Sequence, residues 1–333
     1  MRFDVTGAVL ASAGLAFVVF GVQNGQHYQW GPVLGPVGVP HVIGAGLLLV
    51  GAFLIQQRRT KTAPLLPLGL FRNPTFGPAN LTHAALGFAT TGMFLPLVIY
   101  VQTVLGLDPL ASSLLCAPMA VGAGLAAVVA GRYVGRVGPR SLVTAGLAGL
   151  AVGVVVLAVQ AEPDTAPLAL VPGLVLAGVG IGLVFSPLTA AATFGLPAEL
   201  AGAASGVFNT SRQVGGVLGS ASTGVLLQLG LSVTVPAAAR DYAALLPPRY
   251  ADEFVERISA AANTASQFGG EGPAIPADWS PSIAERVREL ATDAFHLGFT
   301  NAAKATLVLP VIVLVLGMIA ASGLRTPVLA RRP

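Results

Sequence analysis

The side chains that could do chemistry in this sequence are few, and they lie inside long apolar stretches. Asn209, Arg212 and Gln213 interrupt the run of small and apolar residues from Ala201 to Ala221. A second group falls within residues 77–104: Asn80, His83, Thr90, Thr91, Tyr100 and Gln102. Amides, hydroxyls and an imidazole can hydrogen-bond a small solute, and an imidazole also titrates near neutral pH. We therefore predict that these side chains, apart from Arg212, line a substrate cavity.

Enzyme and metal motifs are missing from the sequence. It contains no HExxH, no GxSxG, no phosphate-binding GxxxxGK[ST] and no Cys/His cluster. The glycine-rich run Gly173–Phe185 lies in an apolar stretch with no strand before it, so it is typical of helix packing rather than of a dinucleotide loop. Cys116, the single cysteine, is expected to be a small core residue. We predict no enzymatic activity, no cofactor, no metal and, without a basic aromatic patch, no nucleic-acid partner.

The composition indicates that lipid surrounds most of the chain. Of 333 residues, 54% are hydrophobic and 10% are charged, whereas soluble domains have about one quarter charged residues. A membrane crossing takes roughly 20 apolar residues, and only helices or closed barrels can span lipid. The spacing of charges predicts an all-α protein with eight transmembrane helices, over residues 5–22, 39–56, 77–104, 111–130, 141–160, 167–194, 200–230 and 299–323.

The connecting segments alternate in charge, as the positive-inside rule requires. Bases accumulate in a linker at 57–76, around 132–140 and in a tail at 324–333, and acids predominate in the segment 231–298. We therefore predict a plasma-membrane protein with both termini, the basic amphipathic linker and the tail in the cytoplasm, and 231–298 outside. Within that outer segment, residues 251–262 and 283–297 show helical patterns, and the stretch between them is expected to be irregular.

The helix that begins near Ala201 carries a stripe of small and polar residues at spacings of three and four. Its members are Gly202, Gly206, Asn209, Gln213, Gly216, Ser220 and Thr223. The stripe is consistent either with close packing against another helix or with a polar cavity. Arg212 lies beside it, near Ser205, Phe208 and Gly219. Burying this charge at mid-membrane would cost about 2.5–3.5 kcal/mol, so Arg212 either snorkels to the inner surface or pairs with an acid from another helix or chain.

Two further features are open to more than one interpretation. His83 could serve the cavity, or it could be a structural residue bonded to a backbone carbonyl or to Asn80. Residues 131–142, GRYVGRVGPRSL, are expected to form a short inner turn between two helices. There the glycines Gly131 and Gly138 permit tight backbone approach, and Arg132, Arg136 and Arg140 hold the turn at the lipid headgroups.

GRYVGRVGPRSL resembles the G-x-x-x-D-R-x-G-R signature of the major facilitator superfamily. The segment AGAASGVFNTSRQVGGVLGSA is similar to the penultimate helix of its fourteen-helix drug:proton antiporter branch, and PLLPLGLFRNPTF and FLPLVIYVQTVLGLDP resemble other segments of that branch. The resemblance implies that 77–323 forms the C-terminal six-helix domain, built as two inverted three-helix repeats, and that 1–56 supplies two additional central helices. It also implies proton-coupled export of small lipophilic or cationic compounds.

The sequence departs from the family pattern in two respects. Gly135 stands where the signature has Asp, and the 333 residues do not include the first six-helix domain with its membrane carboxylate. No Asp or Glu lies well inside an apolar span, so His83 is the remaining candidate for proton exchange. We expect the chain to be incomplete on its own: it acts with a separately encoded N-terminal half, it forms a homodimer, or it is the product of a truncated or mis-started gene. The alternative is a non-transporting membrane protein that binds another membrane protein or a separately encoded N-terminal half.

Overall fold

A computed structural model describes residues 4–25, 28, 30–60, 66, 68–193, 195–264 and 281–324. The described helices are α1 (Val5–Asn24), α2 (Val39–Arg59), α3 (Phe76–Thr103), α4 (Pro109–Val137), α5 (Pro139–Gln160), α6 (Val171–Thr193), α7 (Ala201–Ala243), α8 (Pro248–Thr264), α9 (Pro281–Thr306) and α10 (Val308–Ala321). Two short strands, β1 (Pro32–Leu34) and β2 (Val37–Gly38), pair between α1 and α2. Residues 61–65 and 67 of the predicted linker, the predicted irregular stretch at 265–280 and the tail from 325 lie outside the described residues.

Eight spans among the described residues are long and apolar enough to cross a membrane, the eighth running from Ile283 through α9 and α10 to Ala321. The predicted all-α fold with eight membrane helices is confirmed. The β1–β2 hairpin was not predicted; it turns at Gly35, whose φ of 55° favours glycine.

Helices α1 and α2 form an antiparallel hairpin that packs through glycines. Gly7, Gly14 and Gly21, spaced by seven residues, are the buried positions of α1. A Cβ added to Gly46 of α2 would lie 2.8 Å from the carbonyl oxygen of Gly14, so the backbones are in close contact there. Such proximity is how helices associate where lipid provides no hydrophobic drive.

Asp4 fastens the end of this hairpin at which α1 begins and α2 ends. Its Oδ1 accepts hydrogen bonds from the backbone N–H of Gly7 (2.8 Å) and from Nε2 of Gln56 (3.0 Å), and its Oδ2 accepts one from Nε2 of Gln57 (2.7 Å). The bond from Gly7 and then that from Gln57 are the main reasons why the pKa of Asp4 lies below its ordinary value. The carboxylate thus caps α1 and joins it to the end of α2.

The six-helix domain has the contact pattern of two repeats. Among α3, α4, α5, α6, α7 and α10, the main pairs are α3 with α7, α4 with α6, α5 with α6, α3 with α10, and α5 with α10. Exchanging α3 with α6, α4 with α7 and α5 with α10 reproduces the same set of pairs. Helices α3, α4 and α5 therefore occupy positions equivalent to those of α6, α7 and α10, as a three-helix repeat requires.

The two equivalent pairs, α3–α7 and α4–α6, are built alike. On α7, a Cβ at Gly215 or Gly219 would collide with the carbonyl oxygens of Ala84 and Phe88 of α3. On α6, a Cβ at Gly178 or Gly182 would collide with the carbonyl oxygens of Met119 and Ala123 of α4. Contacts advance along both partners together, so each pair is parallel. The glycine-rich run in α6 is therefore a packing surface.

The outer segment differs from the predicted loop. Helix α7 has 43 residues, about 65 Å at 1.5 Å per residue, which is twice the thickness of a bilayer core. Its last third packs with α8 and α9 around buried side chains, among them Val235, Phe254, Val287 and Leu290. These buried residues give the extension an apolar core of its own, so the helix continues beyond residue 230, where the prediction ended it. The helical patterns at 251–262 and 283–297 are confirmed as parts of α8 and α9.

Candidate functional site

Helix α7 packs against α3 through the face that carries Arg212, which lies beside the predicted stripe. Gly215 and Gly219 contact α3, and Gly87 of α3 lies against the carbonyl group and Cγ of Arg212. Phe208, one turn earlier, is buried on the same side. Of the stripe predicted to pack or to line a cavity, Gly216 and Thr223 are buried against α3, whereas Gly202 and Gly206 have open space where a side chain would lie. One part of the predicted stripe therefore packs against α3, and the other part is exposed.

Its exposed part carries the amides. Asn209 and Gln213 are exposed, and the exposed hydroxyl group of Thr91 lies beside Gly216, one turn further along α7. We call Thr91, Asn209 and Gln213 the polar face. The neighbouring Thr90 is half-buried, with its hydroxyl donating to the carbonyl of Leu86 at 2.8 Å. Polar side chains at this depth are costly against lipid, so the polar face favours a hydrated or protein-covered environment.

Asn80 lies between α3 and α7 rather than at an open surface. It is buried, its Nδ2 donates to the carbonyl of Phe76 (2.8 Å), and its Oδ1 accepts from the hydroxyl of Ser211 (2.9 Å). The hydrogen bond from Ser211 joins the two helices and occupies the amide oxygen of Asn80 that faces α7. Ser211 was not among the predicted residues, because a serine beside a glycine stripe gives no sequence signal of its own.

Tyr100 and Gln102 lie near the other end of α3. Tyr100 is 1% exposed, and its hydroxyl donates to the carbonyl of Glu162 at 2.6 Å. The carboxylate of Glu162 also accepts from Nζ of Lys304 at 2.6 Å. Tyr100 thus fastens the α5–α6 connection to α3, which differs from its predicted place in a cavity, and Lys304 of α9 forms an ion pair with the same connection. Gln102 is exposed but far along α3 from the polar face.

His83 is enclosed by aromatic rings. Its ring stacks on Phe208 of α7, with centroids 3.7 Å apart, and meets Phe185 of α6 edge-on at 5.7 Å. Nδ1 lies 2.9 Å from the carbonyl oxygen of Phe208, which can only accept, so the proton is on Nδ1. Of the two structural alternatives for His83, the bond to a backbone carbonyl is confirmed. Nε2 is buried without a partner among the described residues.

Arg212 is close enough to His83 for their charges to interact. Its Nε is buried and unbonded, and within the described part of the chain the side chain has no ion pair. Nε2 of His83 and Nε of Arg212 are therefore two buried nitrogens, one on α3 and one on α7, without a hydrogen-bond partner among the described residues.

The predicted inner turn is shorter than expected. Helix α4 continues through Gly131, Arg132 and Arg136 to Val137, and Gly138 is the single residue between α4 and α5. Its φ of 85° is accessible to glycine, and Pro139 then begins α5 in a conformation suited to a first helical turn. Arg132, Arg136 and Arg140 are all exposed at these helix ends. The guanidinium of Arg136 lies 6.0 Å from the ring centre of Tyr133.

Comparisons with known proteins place the chain in a family. Residues 5–220 match the model of the Major Facilitator Superfamily. An uncharacterized MFS-type transporter of Mycobacterium tuberculosis is 38% identical over 71% of this chain and 40% of its own length. Multidrug resistance protein Stp from the same species is 32% identical over 70% and 42%. The tetracenomycin C resistance and export protein of Streptomyces glaucescens is 28% identical over 92% and 55%.

The chain belongs to the major facilitator superfamily and is a multi-pass membrane protein of that family of transporters. It spans about half the length of these curated relatives, between 40% and 55%. The solved structure of a bacterial homologue of the human lysosomal transporter Spinster, inward-facing and unoccupied, aligns with a TM-score of 0.48 and 17% identity, over 96% of this chain and 66% of that one.

Proposed function

We propose that this chain supplies the C-terminal part of a facilitator in the plasma membrane that exports small lipophilic or cationic compounds in exchange for protons. In this proposal the polar face meets a six-helix N-terminal half, both termini are cytoplasmic, and the basic helix ends at 132–140 face the inner leaflet. The similarity to a multidrug resistance protein and to a tetracenomycin C resistance and export protein supports the substrate class. The observation that carries the proposal is the exposure of Asn209 and Gln213 within a membrane span.

The polar face would contribute hydrogen bonds but no charge of its own. Aromatic and aliphatic surface would hold the body of a lipophilic compound, and the amides would orient its polar groups. The proton would have to be carried elsewhere, because Nδ1–H of His83 is already bonded to the carbonyl of Phe208. We therefore assign the proton-carrying carboxylate to the other half and give Arg212 the role of its counter-ion.

Cysteine labelling tests whether the polar face is hydrated. Replacing Cys116 by Ser removes the single cysteine, and Asn209→Cys or Gln213→Cys then places one thiol on the polar face. Leu218→Cys is the matched control, because Leu218 is 48% exposed on the same helix but lies about 140° around it from Gln213. A charged, membrane-impermeant maleimide should react with the first two thiols at least about tenfold faster, since only a hydrated thiol ionises to the thiolate that attacks the maleimide.

Equal labelling rates at the three positions would contradict a hydrated polar face. Transport itself is tested in a drug-sensitive bacterium that lacks its own pumps, with the chain expressed alone and together with the N-terminal half of a relative such as the tetracenomycin C export protein. We expect a lipophilic cationic dye to be expelled only in the second case. Unchanged dye accumulation, with both polypeptides present in the membrane as a complex, would favour a binding role without transport.

A further inference from the structure

A surface groove of about 470 Å³ lies between the first turns of α5 and the last turns of α10. It is separate from the polar face, and the proposed transport does not use it. Its polar lining is formed by Arg140, Ser141, Thr144 and Ser322. The remaining lining residues are Ala145, Ala148 and Met318.

The groove changes from polar to apolar along the helix axes. Arg140 is the second residue of α5, and Ser322 directly follows α10, so both lie where two membrane spans end. Ala148 is eight residues further along α5, about 12 Å deeper at 1.5 Å per residue. Met318 lies one turn before Ser322 on the antiparallel partner. A ligand that fits this groove is therefore charged or polar at the membrane surface and apolar below it.

The charge of the groove selects an anion. Arg140 is exposed and forms no ion pair within the described ranges, and no acidic residue contributes to the lining. The hydroxyls of Ser141 and Thr144 form no hydrogen bond with any described residue, so both can donate to a bound oxygen. Arg132 and Arg136 are exposed at the end of the adjoining helix and add to the positive potential. A guanidinium with hydroxyl donors is a typical phosphate-binding set.

We propose that this groove binds one anionic phospholipid. Its phosphate is held by Arg140 and the hydroxyls of Ser141 and Thr144, and one acyl chain lies against Ala148 and Met318. An acidic protein segment would meet the same charge, but it would bring backbone groups into the apolar end with nothing to bond them. An acyl chain brings none, and lipid is present at this position at all times.

Native mass spectrometry of the purified, delipidated 333-residue chain tests the proposal. Titration with phosphatidylglycerol should show one lipid retained at low concentration, and phosphatidylcholine should bind more weakly. Arg140→Ala should weaken phosphatidylglycerol binding by about tenfold or more, because a charge-assisted hydrogen bond to the phosphate is lost. Arg136→Ala is the matched control: it removes the same charge from the same region but outside the lining, so it should weaken binding clearly less than Arg140→Ala.

A second variant tests the binding of the acyl chain separately from the binding of the phosphate. Ala145→Trp fills the groove without changing its charge and should also release the lipid, while circular dichroism confirms that each variant is folded. Equal affinities of wild type and Arg140→Ala, or equal binding of both lipids, would overturn the proposal. So would the finding that the lipid binds only after removal of residues 325–333, which would make that segment the occupant. Binding of phosphatidylglycerol that is no tighter than the binding of inorganic phosphate would likewise rule out the acyl contact.

Discussion

The close contact between α3 and α7 makes a prediction with a sign that can be tested. A methyl group added at Gly215 would overlap the carbonyl oxygen of Ala84, so Gly215→Ala must push the helices apart. The added carbon at Gly206, on the same helix, would meet nothing within 4 Å. Both variants gain the same helix propensity, up to about 1 kcal/mol. Their difference in stability therefore isolates the packing contact.

Overpacking of a tightly packed interface costs about 1–3 kcal/mol. We expect the free energy of unfolding of Gly215→Ala to lie below that of Gly206→Ala by about this amount, roughly a 5-fold to 160-fold difference in the unfolding equilibrium constant. The movement would also disturb the neighbouring contact between Gly87 and Arg212, so the upper part of the range is favoured. Unfolding is followed by circular dichroism as the fraction of sodium dodecyl sulfate in mixed micelles is raised.

The equivalent pair in the other repeat offers a matched comparison. Gly178 of α6 contacts the carbonyl oxygen of Met119, and Gly124 of α4 has open space. If α4–α6 repeats the packing of α3–α7, Gly178→Ala and Gly124→Ala should differ by a similar amount and in the same direction. The reasoning is refuted if Gly215→Ala is as stable as Gly206→Ala, because the backbones would then not be in contact.

Four further outcomes are expected. In a complete transporter that includes this chain, Arg212→Ala should lower drug resistance without lowering membrane abundance; equal resistance at equal abundance would show that Arg212 has no role in export. The hydrogen bonds that lower the pKa of Asp4 contribute stability that is present at neutral pH and is lost as pH falls below about 4 towards the depressed pKa. The thermal stability of wild type should therefore decrease with acid more than that of Asp4→Asn, and parallel pH profiles would contradict this role. Tyr100→Phe should lower the free energy of unfolding by about 0.5–1.5 kcal/mol by removing the bond to the Glu162 carbonyl. Lys304→Met should cost less than about 1 kcal/mol because the ion pair is partly exposed, and a larger loss for Lys304→Met in the same unfolding assay would reverse this ranking.

Much of the architecture could be predicted because lipid imposes simple rules on sequence. Long uncharged stretches must be helices, and eight of them were placed within a few residues at most ends. The largest errors in the predicted helix ends fall where a helix extends beyond the lipid and protein contacts set its length. Helix α7 continues past residue 230 because α8 and α9 cover it, and α4 reaches Val137 because glycine at position 138 makes the turn alone.

The candidate site was predicted in part. Asn209, Gln213 and Thr91 are exposed, and whether they line a cavity remains a prediction. Asn80, His83 and Tyr100 are equally polar in sequence, yet each is buried and bonded to a neighbouring helix or connection. Composition cannot separate these two groups, because a polar residue in an apolar helix avoids lipid equally well by facing a cavity or by bonding to protein.

By itself, the sequence determined that this chain crosses the membrane as helices and which segments do so, because each crossing depends on the transfer of about 20 consecutive side chains into lipid. The sequence also supplies the glycines at which pairs of helices come into backbone contact. Only the tertiary structure decided which of two adjacent stripes on α7 packs against α3. The stripes differ by less than one residue's rotation, and the carbonyl oxygens of Ala84 and Phe88 fit the one that contains Gly215, Gly219 and Arg212. That choice buries one side of Arg212 and leaves Asn209 and Gln213 exposed.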